Sequence, residues 1–272
     1  MTTGLPNFST GYADVNGTKL YYEIAGTGTP LIFVHGFSLD HRMWDDQISA
    51  FTDSYRVVRY DVRGFGQSAD VPTDPYSYPA DLLGLMDALN IEKAHLVGLS
   101  MGGAIVVDFT TDYPDRVLSL TPVDAPLGGM DWTTDFPARM GAAAALANES
   151  GIEAALKPWL EDPLLAPAMA NTDCAPALKE IIGDYTGWHW TSGAKGLSGD
   201  TPTIQLLDKI SVPTLVVVGE HDLADFHGAA DIMEANIPGA RKVIVSGVGH
   251  MSNMEDPTGF NTLLAEFLSE IT

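Results

Sequence analysis

Composition places the chain among globular proteins and excludes several classes of partner. It has 272 residues, 45% of them hydrophobic, and 36 acidic against 14 basic residues give a formal net charge of −22. A surface this acidic repels polyanions and anionic lipids, so neither nucleic acid nor a membrane is an expected partner. The single cysteine, Cys174, excludes an intrachain disulfide and a metal site built from cysteines.

The expected location of the protein is cytoplasmic. No apolar run reaches the roughly 18 residues that are needed to span a bilayer. Residues 1–10 lack the basic and apolar segments of a secretion signal. The oligomeric state stays open, and a homo-oligomer is compatible with the sequence.

The first predicted elements in chain order are strands. Asn-Gly at residues 16–17 is a strong hairpin turn signal, and it joins two strand-like stretches, 12–15 and 19–24. Residues 31–34 (LIFV) are continuously apolar, which is typical of a strand that is covered on both faces. Residues 56–60 (RVVRY) form the next predicted strand. The chain therefore opens with an antiparallel pair that is followed by buried strands.

Helices and strands then alternate along the chain. Residues 82–89 carry apolar side chains on one face of a predicted helix. Residues 94–97 form a buried strand, 102–113 a helix that ends before Pro114, and 117–123 a further strand. This alternation predicts a mostly parallel sheet with helices on its faces.

The pattern changes in the second half of the chain. Residues 126–203 contain alanine-rich helical segments that are broken by prolines, without a convincing strand. Strands resume at residues 214–218 and 241–245, and each is followed by a helix. We therefore predict one core domain, made of residues 1–125 and 204–272, that is interrupted by a helical cap.

A G-x-S-x-G sequence at residues 98–102 (GLSMG) follows a buried strand and opens a helix. In this setting the motif forms a sharp turn that lifts the serine hydroxyl above the carboxyl edge of a parallel sheet. The glycines are needed because the backbone is strained there and a Cβ would collide with the adjacent strand and helix. Ser100 is therefore the candidate nucleophile.

The next question is which residues could activate this serine. A serine hydroxyl is a weak nucleophile until a base takes its proton. His250 is the best candidate base, because it ends a glycine-rich loop that follows the last predicted strand. The imidazole in turn needs a carboxylate that holds its tautomer. Asp222, just past the strand at 214–218, is the preferred acid, and Asp124, past the strand at 117–123, is its competitor.

Two backbone N–H groups are expected to stabilise an oxyanion at this site. One belongs to Met101, which the turn itself places. The other belongs to Phe37, in the loop after the first buried strand, because Gly36 lets the chain turn back there. The side chain of His35 is expected to order this loop.

Aromatic residues of the predicted cap are candidates for substrate binding. Trp132, Trp188 and Trp190 are the expected substrate contacts, because a helical insertion at this edge of the sheet would roof the nucleophile. Trp159 of the same segment is expected to roof the site together with them, and His189 is a further candidate lining residue. These aromatic residues also fit the plain core of a small helical subdomain.

Together these segments resemble the α/β-hydrolase-fold family over essentially the whole chain. The resemblance rests on residues 35–37 (HGF), Ser100, Asp222 and His250, in the family's order of nucleophile, acid and base. Residues 61–68 (DVRGFGQS) also resemble the family's D-x-R-G-x-G-x-S loop. The resemblance implies a mostly parallel, eight-stranded α/β-hydrolase sheet with helices on both faces and an inserted helical cap.

The residues of the turn narrow the implied activity. Ser100 differs from the aspartate nucleophile of haloalkane dehalogenases and epoxide hydrolases. Leu99 differs from the asparagine of many carbon–carbon bond hydrolases. The turn is closest to those of carboxylesterases, enol-lactonases and cofactor-free haloperoxidases or perhydrolases. The resemblance therefore implies a serine hydrolase that cleaves a small-molecule carboxylic ester or lactone through an acyl-enzyme.

Other functions stay open on the same residues. Perhydrolysis, halide oxidation and carbon–carbon bond cleavage use the same triad, and a ligand-binding receptor keeps the fold without turnover. The Gly-Phe-Gly sequence at residues 64–66 is too short for a dinucleotide-binding loop. No cofactor and no metal are therefore expected.

Overall fold

The computed structural model describes residues 6–69, 71–197 and 199–271, and its centre is one sheet of eight strands. In space the strands follow the order β1-β2-β4-β3-β5-β6-β7-β8. They are β1 (Ser9–Val15), β2 (Thr18–Ala25), β3 (Thr29–Val34), β4 (Tyr55–Tyr60), β5 (Ala94–Leu99), β6 (Val117–Val123), β7 (Leu215–Gly219) and β8 (Arg241–Val245). Only β2 runs against its neighbours, so the prediction of a mostly parallel sheet is confirmed.

Eleven α-helices are found in the described part of the chain. They are α1 (Asp45–Phe51), α2 (Tyr78–Ala88), α3 (Met101–Asp112), α4 (Phe136–Ser150), α5 (Ile152–Leu160), α6 (Ala166–Ala170), α7 (Ala175–Gly183), α8 (Trp188–Thr191), α9 (Ala224–Asn236), α10 (Ser252–Glu255) and α11 (Pro257–Glu270). Helix α2 packs beside α3, and α1 packs beside α11, in two groups around the sheet. None of the described helices has the length and apolar character that a bilayer crossing requires.

The centre of the sheet is formed by its most apolar strands. Every residue of β5 is buried, as are the last four residues of β3. Strands that are covered on both faces read as continuous apolar runs, which explains why the sequence marked them clearly. At the edge formed by β8, by contrast, Ile244 is half exposed.

Parallel pairing brings the ends of five strands to one edge of the sheet. Val34 of β3 pairs with Gly98 of β5, and β5 pairs with β6 up to its last residue, Leu99. Val123 of β6 pairs with Val217 of β7, which continues alongside β8. The loops that follow these strands therefore begin side by side, and they contain the candidate site residues.

The chain between β6 and β7 leaves the sheet. Its described residues form five helices, α4 to α8, and no strand. A short 3₁₀ helix at Thr203–Gln205 leads back towards the sheet. This helical content agrees with the expected insertion, and the division into a core domain and a cap at residues 126–203 stays a prediction.

Close backbone packing accounts for the glycines at the junction of β5 and α3. A Cβ on Gly98 would lie 2.2 Å from the Gly102 carbonyl oxygen, and a Cβ on Gly102 would lie 2.1 Å from the Val34 carbonyl oxygen. Real Cβ atoms essentially never approach an oxygen so closely. Both contacts are with backbone, which cannot move aside as a flexible side chain can.

We predict that Gly98→Ala lowers the free energy of unfolding by about 3 kcal/mol or more, because the new methyl group overlaps backbone atoms. Gly141→Ala is the matched control, since Gly141 lies inside α4 and a methyl group there would meet nothing within 4 Å. That change should raise the free energy of unfolding by roughly 0.5–1 kcal/mol through helix propensity. Equilibrium urea denaturation measures both values, and equal effects of the two substitutions would contradict the packing argument.

Candidate active site

Ser100 occupies a strained turn between β5 and α3. Its backbone has φ 55° and ψ −118°, a conformation that non-glycine residues rarely adopt. Two hydrogen bonds hold it: the Ser100 N–H donates to the Val123 carbonyl (2.8 Å), and the Ser100 carbonyl accepts from the Ala104 N–H (3.0 Å). The side chain is therefore presented at the carboxyl edge of the sheet, where the motif predicted it.

His250 and Asp222 form a buried pair on the neighbouring loops. The Nδ1 atom of His250 lies 2.9 Å from Oδ2 of Asp222, and both side chains are almost completely buried. The carboxylate can only accept, so we assign the imidazole proton to Nδ1. The other carboxylate oxygen accepts from the Leu223 N–H (2.7 Å). In the neutral imidazole, this tautomer leaves Nε2 as an acceptor.

The two halves of the site meet in one cavity. Ser100 and His250 both line it, and Nε2 of His250 has no hydrogen-bond partner among the described residues. No hydrogen bond therefore joins Nε2 to the Ser100 hydroxyl in this state. Such contacts are often long without substrate and tighten when it binds.

Asp124, the competing acid, has a different set of contacts. Its Oδ1 accepts from the Gly219 N–H (2.7 Å), and its Oδ2 lies 2.6 Å from the Ser252 hydroxyl. Burial and the nearby Asp222 carboxylate hold the pKa of Asp124 well above its usual range. It does not contact the imidazole of His250. Asp124 instead joins the end of β7 to the segment that carries His250.

Glu255 is a contact that the sequence analysis missed. Its two oxygens accept from the N–H groups on either side of His250, Gly249 (2.9 Å) and Met251 (3.0 Å). Burial raises the pKa of this carboxyl group. Asn171 reaches the same segment from the helical insertion, donating to the Glu255 carbonyl (3.0 Å). No sequence motif marks a glutamate five residues after a histidine, so only the folded loop shows that Glu255 bonds the two amides beside His250.

The loop after β3 supplies one of the predicted oxyanion donors. Neither the Phe37 N–H nor the Met101 N–H has a hydrogen-bond partner in the described part of the chain. The Nε2 atom of His35 accepts from the Val62 N–H (2.9 Å), so its Nδ1–H donates to the Gly36 carbonyl (2.8 Å). Burial lowers the pKa of His35, which keeps the ring neutral. These contacts agree with the expected ordering role of His35.

The 61–68 loop is a network of satisfied polar groups. The two oxygens of Asp61 accept from the His41 N–H (2.8 Å) and the Gln67 N–H (2.8 Å), and His41 Nδ1 lies 2.7 Å from the first. Arg63 donates to both oxygens of Asp81 (2.7 and 2.8 Å). Asp40, His41 and Asp61 are near enough to offer metal ligands, but their atoms already serve these structural contacts.

A small cavity of about 30 Å³ adjoins Ser100. The loop after β3 contributes Phe37 and Leu39 to its walls, and Met251 lies beside the imidazole. Leu99 of β5 also lines it, and the other side chains come from the helical insertion: Phe136, Met140, Trp159, Leu164, Leu165 and Ile182. The insertion therefore covers the nucleophile with apolar side chains, most of which the sequence analysis did not single out.

Trp159 is the tryptophan that lines this cavity. Its Nε1–H donates to the Ser38 hydroxyl (2.8 Å), and Ser38 is itself buried with a φ of 60°. Ser38 directly follows Phe37 in the loop after β3. The hydrogen bond therefore fastens helix α5 to the loop that holds a predicted oxyanion donor.

The other three tryptophans of the insertion are not among the residues that line this cavity, and their role as substrate contacts stays a prediction. Trp132 is 36% exposed and packs against Phe136 and Phe226. Trp190 is buried behind Phe37 and Trp159, and Trp188 lies against Tyr76 and His189. Trp132 and Trp190 contact Phe136 and Phe37, which line the cavity, whereas the two neighbours of Trp188 are themselves outside the lining.

His189 lies among these aromatic residues, next to Trp188. Its ring stacks on Phe65 with centroids 4.0 Å apart and lies near Tyr185. Burial lowers the pKa of His189 to about 3, so the ring is neutral. His189 is not among the residues that line the cavity.

Comparison with known proteins agrees with this geometry. A model of the alpha/beta hydrolase family matches residues 31–263, and the chain belongs to that family. The 3-oxoadipate enol-lactonase 1 of Acinetobacter baylyi is 29% identical over 259 residues, which cover 94% of this chain and 95% of the relative. A putative non-heme chloroperoxidase of Synechocystis is 28% identical over 97% of this chain and all of the relative.

Solved structures share the architecture as well. A thermophilic esterase from Thermogutta terrifontis superimposes with a TM-score of 0.83 at 27% identity, over 97% of this chain and 99% of the esterase. The predicted resemblance and the predicted fold are therefore both confirmed.

We predict that Trp159 and Ser38 are energetically coupled. In a double-mutant cycle of Trp159→Phe and Ser38→Ala, the coupling in free energy of unfolding should be about 1 kcal/mol, the net value of a hydrogen bond. Trp190→Phe is the matched control, since the Trp190 Nε1–H has no partner among the described residues. Its coupling to Ser38→Ala should be near zero, and a Trp159 coupling as small as the control's would argue against the contact.

Proposed function

We propose that the protein is a carboxylic-ester hydrolase that cleaves an ester or lactone through an acyl-enzyme on Ser100. The observation that carries the proposal is His250, whose Nδ1 is held by Asp222 (2.9 Å) while its free Nε2 shares a cavity with Ser100. The names of the relatives, an enol-lactonase and an esterase among them, agree with a carboxylic-ester hydrolase.

In the proposed acylation, Nε2 of His250 removes the hydroxyl proton of Ser100 as the oxygen attacks the substrate carbonyl. The imidazolium that forms is stabilised by Asp222, whose carboxylate accepts the Nδ1 proton in a hydrogen bond. His250 then protonates the leaving alcohol oxygen, and the acyl group stays on Ser100. Water attacks the acyl-enzyme in the second half, with His250 again as base.

The developing oxyanion needs donors that are already in place. The N–H groups of Phe37 and Met101 have no partner among the described residues, and they flank Ser100 from the β3 loop and the α3 terminus. We assign the oxyanion to these two amides. Donors of this kind typically contribute about 10²–10³ in kcat each.

Two carboxyl groups are proposed to position the base rather than to react. Glu255 brackets His250 through the two flanking amides, and Asp124 bonds Ser252 in the next turn. Displacing the imidazole would lower kcat, because proton transfer requires His250 and Ser100 to be at hydrogen-bond distance. We further propose that the helical insertion at residues 126–203 acts as the cap over this site.

We predict that Ser100→Ala and His250→Ala each lower the esterase kcat by at least ~10³, the scale of losing a triad member. The rate of p-nitrophenyl acetate hydrolysis measures this. Labelling by a fluorophosphonate probe should disappear in Ser100→Ala and persist in the unaltered protein. A protein that is labelled at Ser100 but never turns over an ester would be a ligand-binding receptor rather than an enzyme.

The same assay should distinguish the roles of Asp222 and Asp124. We predict that Asp222→Asn lowers kcat by ~10⁴, because an asparagine no longer holds the Nδ1 proton. Asp124→Asn should lower kcat far less and act mainly on the free energy of unfolding, by roughly 1–3 kcal/mol, since it disturbs buried hydrogen bonds. A larger kcat loss in Asp124→Asn would transfer the acid role to that residue.

A further inference from the structure

The polar side chains of the cavity beside Ser100 lie around the candidate nucleophile. Its polar side chains are Ser38, Ser100 and His250, and the described lining includes no carboxylate, lysine or arginine. The Ser38 hydroxyl accepts from Trp159, which leaves its own proton as one neutral donor. The rest of the wall is aliphatic or aromatic, so nothing there could hydrogen-bond a polar group on a substrate chain.

The acyl part of the substrate must fit this space. After the alcohol leaves, the acyl group is still bonded to Ser100, so the cavity has to hold it throughout the second half-reaction. A volume of about 30 Å³ matches roughly two water-sized spheres. The wall is also firm, because Trp159 is held by its hydrogen bond and Leu164 and Leu165 are buried.

The charges around the cavity are acidic. Asp222 contacts the His250 ring, and Glu255 and Asp124 contact the segment that carries it. A negative charge on the acyl group would therefore meet the Asp222 carboxylate beside the imidazole, in surroundings that screen poorly.

None of the cations of the described covering helices lines this cavity, and Lys157 and Lys179 line a different one. Arg139 lines a separate cavity, which shares only Trp159 with the substrate space. It is already paired with Asp162 (2.8 Å) and with Asp135. An anionic acyl group would thus be buried without a partner.

We infer that the substrate is an ester of a short, uncharged, apolar carboxylic acid, and that the site rejects acyl chains that carry a second carboxylate. The inference rests on the proposed function, because it concerns the acyl group that Ser100 would receive. Within the class of esters and lactones, the inference separates neutral from anionic acyl groups, because the described lining of this cavity contains no cation.

The experiment compares two esters that differ in one group. Methyl butanoate and monomethyl succinate have the same alcohol and chain, but the first ends in a methyl group and the second in a carboxylate. Methanol release by the unaltered protein gives kcat/KM for each. We expect the neutral ester to be favoured by ~100-fold or more, the scale of burying an unpaired charge. Comparable values would overturn the inference.

Chain length tests the size of the cavity. From methyl butanoate to methyl octanoate we expect kcat/KM to fall at least ~10-fold, because added methylenes overpack a filled apolar space. A preference for the octanoate would contradict a short acyl group.

A cation placed on the wall should weaken the charge selectivity. Met140 is half-buried on α4 and lines the cavity, so Met140→Arg would offer a partner to a carboxylate. We expect the succinate-to-butanoate ratio of kcat/KM to rise ~10-fold or more in this variant. Met140→Gln, which is polar and uncharged, is the control and should leave the ratio within about threefold. An equal rise in both variants would show that polarity rather than charge decides.

Two kinds of failure can be told apart. If monomethyl succinate is cleaved as well as methyl butanoate, the substrate inference fails while the esterase stands. If neither ester is cleaved and the fluorophosphonate probe does not label Ser100, the proposed function fails, and the inference falls with it. The comparison on the unaltered protein decides the matter even where Met140→Arg does not fold.

Discussion

Parallel pairing in the middle of the sheet is the constraint on which the rest of the structure depends. Because β3, β5, β6, β7 and β8 run in the same direction, the loops that follow them start at one edge. Those loops carry Phe37, Ser100, Asp124, Asp222 and His250. Residues that lie up to about two hundred positions apart in the chain thus meet without any motif that joins them directly. The strain at Ser100 is tolerated because the two buried neighbouring strands hold the turn.

Buried carboxyl groups hold the imidazole of His250, the proposed base, in place. Asp222 accepts a hydrogen bond from the imidazole, while Glu255 and Asp124 fasten the chain around it through backbone and hydroxyl contacts. Each contact satisfies a buried polar group that would otherwise be costly. The Asp222 carboxylate also makes the surroundings of Ser100 unfavourable for an anion. In the proposed enzyme, the contact that positions the base therefore also contributes to charge selectivity.

The helical insertion is joined to the nucleophile's surroundings by packing and by one directed contact. Its apolar side chains cover the cavity, and the Trp159 indole N–H bonds Ser38 next to a candidate oxyanion donor. Around this contact, Phe37 touches an aromatic layer that includes Trp190 and His189. The hydrogen bond of Trp159 and the aromatic contacts of Phe37 therefore set both the shape of the cavity and the geometry of the loop after β3.

The sequence by itself determined which strands the candidate catalytic residues follow, and in which order along the chain. The turn at Ser100 and the loops ending at Asp222 and His250 each follow a strand with a strong local signal. It could not choose the acid by geometry, and it missed Glu255, because that bracket depends on how one loop folds back on itself. It could not tell which of the four tryptophans of the insertion lines the cavity, because the sequence pattern around an indole does not show whether the ring faces a cavity or a neighbouring ring. Only tertiary packing placed Trp159 on the cavity wall.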